Sequence, residues 1–344
     1  MKRFLKRVVL AMSCSLALNA AYAQASAAPF KFKWGLPSAD YYAVYVAKDH
    51  GLFKEAGLEP EFFFFASGAP LLAGLKSESL DVVTTGLATV FAIGQGIPLK
   101  MIYWELDHAA AEALIVDPKA GINSTADLPK AKAIGAPSGT CAQVSLALMA
   151  KNMGIKLSDL SVVNIPPPLY GNAFQSGSIQ AGIAWSPFSN SLITQGYKVA
   201  GWATEYTPHG GVCPGMTAGR PAFLSKNPDL GLKLVQVKAK AMEMIAKNPN
   251  LAIDALVKNI GISRDVAKAA FEREFSRIPT LEQQADPKSP FSMTAAGAGL
   301  ALKFQVASEA LAAAGTIPAP LSPKVVADSI DPSYILRYLK GERK

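Results

Sequence analysis

Glu59-Pro60-Glu61-Phe62-Phe63-Phe64-Phe65-Ala66-Ser67-Gly68-Ala69-Pro70 reads as a strand running into a helix. Four consecutive Phe make the continuous apolar run of a strand covered on both faces. Ser67-Gly68-Ala69 interrupts it, and Pro70 suits an early helical position, where its fixed φ is already helical and its missing N–H is not needed. The alternation extends outward in both directions. Upstream, residues 32–35 form a strand and residues 42–49 a helix; downstream, residues 82–84, 99–103 and 113–116 are strands, the last ended by Asp117-Pro118. A second series has strands at 133–135, 162–164, 181–184 and 197–201, and Leu146, Met149, Ala150 and Met153 share one helix face. Residues 216–218 make a short return strand. Beyond them Leu234, Val237, Ala241 and Ile245, then residues 251–259, 264–275 and 293–314, read as helical. Strand–helix alternation implies parallel sheets covered by helices. Two series imply two α/β lobes, the second inserted into the first, with residues 113–118 and 212–219 as candidate connecting strands.

The chain has 344 residues, half of them hydrophobic, with 34 Lys+Arg against 26 Asp+Glu and three Cys. That length suits two domains or one large one. The apolar fraction excludes a disordered chain, and three cysteines are too few for a disulfide scaffold. The first residues read as a cleaved secretion signal. Lys2, Arg3, Lys6 and Arg7 precede an apolar run over 8–20, and Ala21-Tyr22-Ala23 follows with the small-x-small exit pattern. The run is shorter than the ~20 apolar residues of a spanning helix, and Ala11-Met12-Ser13-Cys14 matches a lipoprotein signal poorly. Cleavage after Ala23 removes four basic residues and no acidic one, leaving a net charge of +4 over 321 residues. That balance does not support nucleic-acid binding. No later segment approaches 18 uninterrupted apolar residues, so a soluble exported protein is expected. Gly-x-Ser-x-Gly, phosphate-loop, His-Glu-x-x-His and Cys-x-x-Cys motifs are all missing from the sequence.

Tyr45-Val46-Ala47-Lys48-Asp49-His50-Gly51-Leu52-Phe53-Lys54-Glu55-Ala56-Gly57-Leu58 resembles the opening helix of the periplasmic solute-binding family that serves ABC importers of taurine, alkanesulfonates, nitrate and thiamine-pyrimidine precursors. Further segments agree in order: Leu80-Asp81-Val82; Ala111-Glu112-Ala113-Leu114-Ile115-Val116; Ala133-Ile134-Gly135-Ala136-Pro137-Ser138-Gly139-Thr140; Gly177 through Ala181 and Trp185 to Pro187; and Arg220-Pro221 with Asn227-Pro228. Ile278-Pro279-Thr280 and Gly315-Thr316-Ile317-Pro318 look most like the taurine branch. The resemblance implies a type II Venus-flytrap fold: two α/β lobes, two hinge strands and a ligand trapped between them. Its expected layout is a signal peptide at 1–23, a first lobe at 29–115, a second at 116–213, a return to the first at 214–321 and a tail at 322–344. It also implies a periplasmic monomer whose partners are a small anionic ligand and a membrane permease, with no cofactor and no catalysis.

Open α/β sheets bind ligands beyond the carboxyl ends of their strands, which selects candidate contacts. These are Ser38, Asp40 and Tyr41; Ser67 and Gly68; Thr85 and Gly86; Trp104 and Glu105; Ser138, Gly139 and Thr140; and Trp185. Several lie where helices begin, and free N–H groups with a partial positive charge suit an anion. Asp40 serves equally as a helix cap. No Arg or Lys falls in these loops, which disfavours a multiply charged ligand. The taurine branch has an acid near the return hinge, but Val212-Cys213-Pro214-Gly215-Met216-Thr217 has none, so Asp40, Glu105 or Asp107 would have to hold an amine. A sulfonate leads, with an aromatic carboxylate or a pyrimidine stacked between Tyr and Trp rings as alternatives. An enzyme reusing the fold, or a sensor partner, are the rival classes. Cys141 and Cys213 are candidates for a disulfide in an oxidising compartment. His50, His108 and His209 read as structural, and no metal site is expected.

Overall fold

The computed structural model describes residues 28–342, so the signal segment lies outside the described residues. Ten strands form two five-stranded sheets. The first sheet contains β1 (Phe30–Pro37), β2 (Leu58–Phe65), β3 (Val82–Thr85), β4 (Lys100–Asp107) and β10 (Pro214–Gly219), ordered β2-β1-β3-β10-β4. The second contains β5 (Ala113–Val116), β6 (Ile134–Gly135), β7 (Val162–Val163), β8 (Ala181–Ala184) and β9 (Lys198–Trp202), ordered β7-β6-β8-β5-β9. In each sheet four strands run in one direction and one runs against them. The strands next to the crossings, β10 in the first and β5 in the second, pair antiparallel with their neighbours. This is the two-lobed α/β architecture that the alternating pattern implies.

The chain does not cross between sheets within the expected connecting strands. β5 lies wholly in the second sheet and β10 wholly in the first. The crossings are the short turns beside them: His108–Ala110, a single 3-10 turn, and the stretch from the helix Ala203–Tyr206 to Cys213. Apolar patterning marks strands, and both strands are buried at every position; the breaks lie in polar turn residues.

The Phe run also departs from expectation. β2 is an edge strand, so Phe62, Phe63 and Phe65 are only half-buried and Phe64 remains 48 % exposed. Phe62 packs on Trp34 and Phe53, while Phe64 lies beside Tyr45 under the Lys48 ammonium. The expected tail is helical over its described residues. Pro323–Ser329 and Ser333–Leu339 are helices; Ile330 bridges to Met101 of β4, and Gly231 meets the Tyr334 ring with no room for a Cβ.

A buried polar chain crosses the first sheet. Trp34 Nε1 donates to Thr84 Oγ1 (3.0 Å), Thr84 and Thr217 hydroxyls are 2.6 Å apart, and Thr217 donates to Glu105 Oε1 (2.9 Å). Lys238 Nζ closes the chain on Glu105 Oε2 at 2.9 Å. Because Thr217 gives its only proton to Glu105, the Thr84 hydroxyl must donate to Thr217. One line of bonds thus connects β1, β3, β10, β4 and the helix Leu230–Lys247. Thr217→Val keeps the shape but strands the Thr84 proton and removes one donor from Glu105. It should cost about 1–3 kcal/mol, read as a lower urea midpoint at unchanged m; an unchanged midpoint would show that the chain contributes nothing.

Candidate functional site

Where the two sheets face each other, their strand ends and following loops enclose a cavity of ≈ 340 Å³ up to its walls, with a free core of only ≈ 30 Å³. One wall comes from the first lobe: Pro37, Ala39 and Tyr41 after β1, Gly68 after β2, and Thr85 to Ala88 after β3. The other comes from the second: Thr140 and Cys141 at the start of the helix Cys141–Asn152, and Trp185 after β8. His108 and Cys213, from the two crossings, complete it. Trp185 reaches across and donates its Nε1–H to the Ser38 carbonyl (3.2 Å).

Six of the expected contacts line this cavity: Tyr41, Gly68, Thr85, Gly86, Thr140 and Trp185. Ser38 contributes its carbonyl to Trp185 at the rim. Ser67 is buried outside the lining. Ser138 faces a different groove, between the helices Cys141–Asn152 and Gly299–Ala313, and its N–H bonds Asn164. Gly139, at φ +69°, is covered by Phe91, whose ring would lie 2.0 Å from an added Cβ.

Trp104 and Glu105 are corrections. The expected end of β4 at Tyr103 would put both in a loop, but the strand continues to Asp107 and carries them into the core. Trp104 is fully buried against Phe291 and donates to the Leu106 carbonyl; Glu105 belongs to Lys238. Asp40 is another. It lies behind the wall, paired with His108, not in the cavity. Asp107 is held by Arg277 and by Lys303 (3.6 Å). No carboxylate lines the cavity among the described residues.

His108 is the residue that sequence reasoning missed. It opens the first crossing, and the T-shaped contact with Tyr41 (centroids 5.5 Å apart) sets its ring. Its Nδ1 lies 3.1 Å from Asp40 Oδ1 and 3.4 Å from Glu274 Oε1, within ion-pair distance of both carboxyls but aligned for a hydrogen bond with neither. Tyr42 Oη stands 3.2 Å from Asp40 Oδ2 and 3.2 Å from Glu274 Oε2. All of these groups are buried. Burial pulls the imidazole down, but its contacts with Asp40 and Glu274 outweigh this and raise it to about 10. Burial raises Asp40, but hydrogen bonding with Glu274 and His108 leaves it below the usual range. Burial and the Asp40 charge push Glu274 well above its ordinary value. Burial and proximity thus push the two carboxyls of the cluster apart, Asp40 toward the ionised form and Glu274 toward the protonated one. A pattern search could not find it, because Glu274 lies on the distant helix Arg264–Glu274.

Cys141 and Cys213 are joined as a disulfide, with Cα atoms 5.3 Å apart. It ties the start of a second-lobe helix to the residue before β10, and both cysteines line the cavity. Behind it, Glu112 receives the Ser145 hydroxyl and is pushed up to about 7 by burial.

The class these features define is a two-lobed α/β fold with a cavity at the crossing between lobes. The chain belongs to the NMT1/THI5-like family, whose model matches residues 38–252. It is 29% identical over 206 residues to a putative aliphatic sulfonates-binding protein of Bacillus subtilis, a match covering 57% of this chain and 60% of that protein. It is 26% identical over 204 residues to the taurine-binding periplasmic protein of Escherichia coli, covering 59% and 62%. A putative binding protein of Brucella abortus is 24% identical over 324 residues, covering 93% and 96%. The fold matches the alkanesulfonate-binding protein SsuA of Xanthomonas axonopodis pv. citri bound to MOPS at a TM-score of 0.71, with 19% identity and 89% and 99% of the two chains covered. The nitrate-binding protein NrtA of Synechocystis PCC 6803 matches at 0.70, with 14% identity and 90% and 88% covered.

Glu112 titrates with a clear sign. Its proton is held more tightly folded than at the ordinary value near 4.5, so the stability it contributes is present below about pH 4.5 and lost as pH rises through about 7. Glu112→Gln keeps an acceptor for Ser145 and removes that loss. Its urea midpoint should fall less than the parent's between pH 5 and 7.5; parallel pH profiles would contradict the assignment.

Proposed function

We propose that this chain is the substrate-binding component of an ABC importer. It captures a small organic anion, a sulfonate first among candidates, in the inter-lobe cavity and delivers it to a membrane permease. The observation that carries this reading is the cavity itself: its walls come from both lobes, and Trp185 spans it. The names of the sulfonate- and taurine-binding relatives support the ligand class and a periplasmic setting. Among the described residues no helix is long and apolar enough to cross a membrane. Action as a monomer, from the periplasm and without chemistry on the ligand, is part of the same proposal.

Tyr41, Gly68, Thr85, Gly86, Thr140 and Trp185 are the proposed contacts. The Thr85 hydroxyl and helix-start N–H groups donate to the anion, Thr140 contributing through its backbone because its hydroxyl donates to the Pro137 carbonyl; glycine lets the backbone approach, and the rings flank its apolar body. A ligand touching both walls is fully held only when the lobes are shut, so binding shifts the population to the closed form that the permease reads.

A thermal-shift panel of the mature protein tests this, with ethanesulfonate, 1-propanesulfonate, benzenesulfonate, benzoate, nitrate and taurine. A ligand at a hundred times its Kd should stabilise by about 2.7 kcal/mol and raise the Tm by a few degrees. Trp185→Ala should weaken the best ligand about tenfold at a nearly unchanged Tm of the free protein. A flat panel would overturn the anion reading, and unchanged affinity in the variant would remove Trp185 from the site.

A further inference from the structure

Among the described residues the cavity wall contains one imidazole, that of His108, and no carboxylate, lysine or arginine. His108 presents Nδ1 to Asp40 and Glu274, so Nε2, on the opposite edge of the ring, points away from both carboxyls. Nε2 is buried and, like Nδ1, makes no hydrogen bond among the described residues; unlike Nδ1 it has no carboxyl at ion-pair distance, and His108 forms part of the cavity wall. A buried donor without a partner costs free energy unless something accepts from it. Gly215 backs the same edge closely: a Cβ there would lie 2.8 Å from Nε2, so glycine keeps room for the ring.

The acids around the cavity are all committed. Asp40 and Glu274 hold His108 and share Tyr42; Glu105 is paired with Lys238; Asp107 with Arg277 and Lys303; and Glu112 accepts from Ser145. None of them lines the cavity. An ammonium group shut inside would lose its water without gaining a carboxylate, a penalty that burial makes large. A single anionic head gains a charge-assisted bond from Nε2–H, stronger than a neutral one.

We propose that His108 is the charged anchor of the site, its Nε2–H donating to the anionic head, and that the cavity therefore selects monoanions without an amine over zwitterions of the same size. This rests on the anion-binding reading above. Asp40 and Glu274 act as positioning residues that hold the ring cationic and aimed at the cavity.

The test uses 1-propanesulfonate and taurine, a near-isosteric pair that differs by an ammonium in place of a methyl, with calorimetry on the native protein and on His108→Gln. Expected are at least about tenfold tighter binding of 1-propanesulfonate than of taurine by the native protein, and at least about tenfold loss of 1-propanesulfonate affinity in the variant. Because the variant also disturbs a buried cluster, ¹⁵N imidazole spectra of the native protein give a second reading. With three His in the chain, and His50 and His209 both exposed, His108 should be doubly protonated at pH 7.5. Its Nε2 should be the one imidazole nitrogen to shift when 1-propanesulfonate is added. Equal affinity for the two probes, an unmoved Nε2, or His108→Gln binding within threefold of native overturns the anchor while leaving the binding function intact. No binding of either sulfonate by the native protein overturns both.

Discussion

The contact on which the site depends is the approach of one imidazole to two buried carboxyls at ion-pair distance. Asp40 comes from the loop after β1, His108 opens the first crossing, and Glu274 ends a helix in the C-terminal half of the chain. Three segments distant in sequence meet at one buried point. An unpaired charge there would cost several kcal/mol, so the loop, the crossing and the helix have to arrive together. Burial and the Asp40 charge push the Glu274 carboxyl toward its neutral form, which limits the negative charge held behind the cleft.

The same region is where lobe movement must be accommodated. The crossings are short: three residues of 3-10 turn on one side, and on the other a stretch fastened by the Cys141–Cys213 disulfide. Gln143 of the second lobe bonds Thr316, just beyond the helix Gly299–Ala313, and Gln95 of the first lobe bonds the Thr316 carbonyl. The C-terminal helices therefore act as a brace touching both lobes. A hinge placed between a covalent tether and a packed brace restricts opening to a narrow range of directions, which suits a cleft that has only to admit a small ligand.

Much of this was legible in the sequence, because strand and helix periods are local. The boundaries of β5 and β8 and of the helix at 42–49 follow from the apolar pattern alone. The cleft was legible in part: the rule that ligands sit beyond strand carboxyl ends selected Tyr41, Gly68, Thr85, Gly86, Thr140 and Trp185, which line the inter-lobe cavity. It missed at Trp104 and Glu105, where a strand ending four residues beyond its pattern carried both side chains into the core. The expectation that the Phe run is covered on both faces failed because strand order decides which strand is an edge, and order is not local. His108 was invisible for a related reason. A lone His has no spacing to read, and the partners that charge it lie far away along the chain.

The measurement that bears most directly on the account is a crystal structure of the mature protein with 1-propanesulfonate. A sulfonate oxygen within hydrogen-bonding distance of His108 Nε2, with the alkyl chain against Trp185 and contacts from both lobes, is the predicted result. A sulfonate held elsewhere, such as the groove between the helices Cys141–Asn152 and Gly299–Ala313, with His108 untouched, would contradict it.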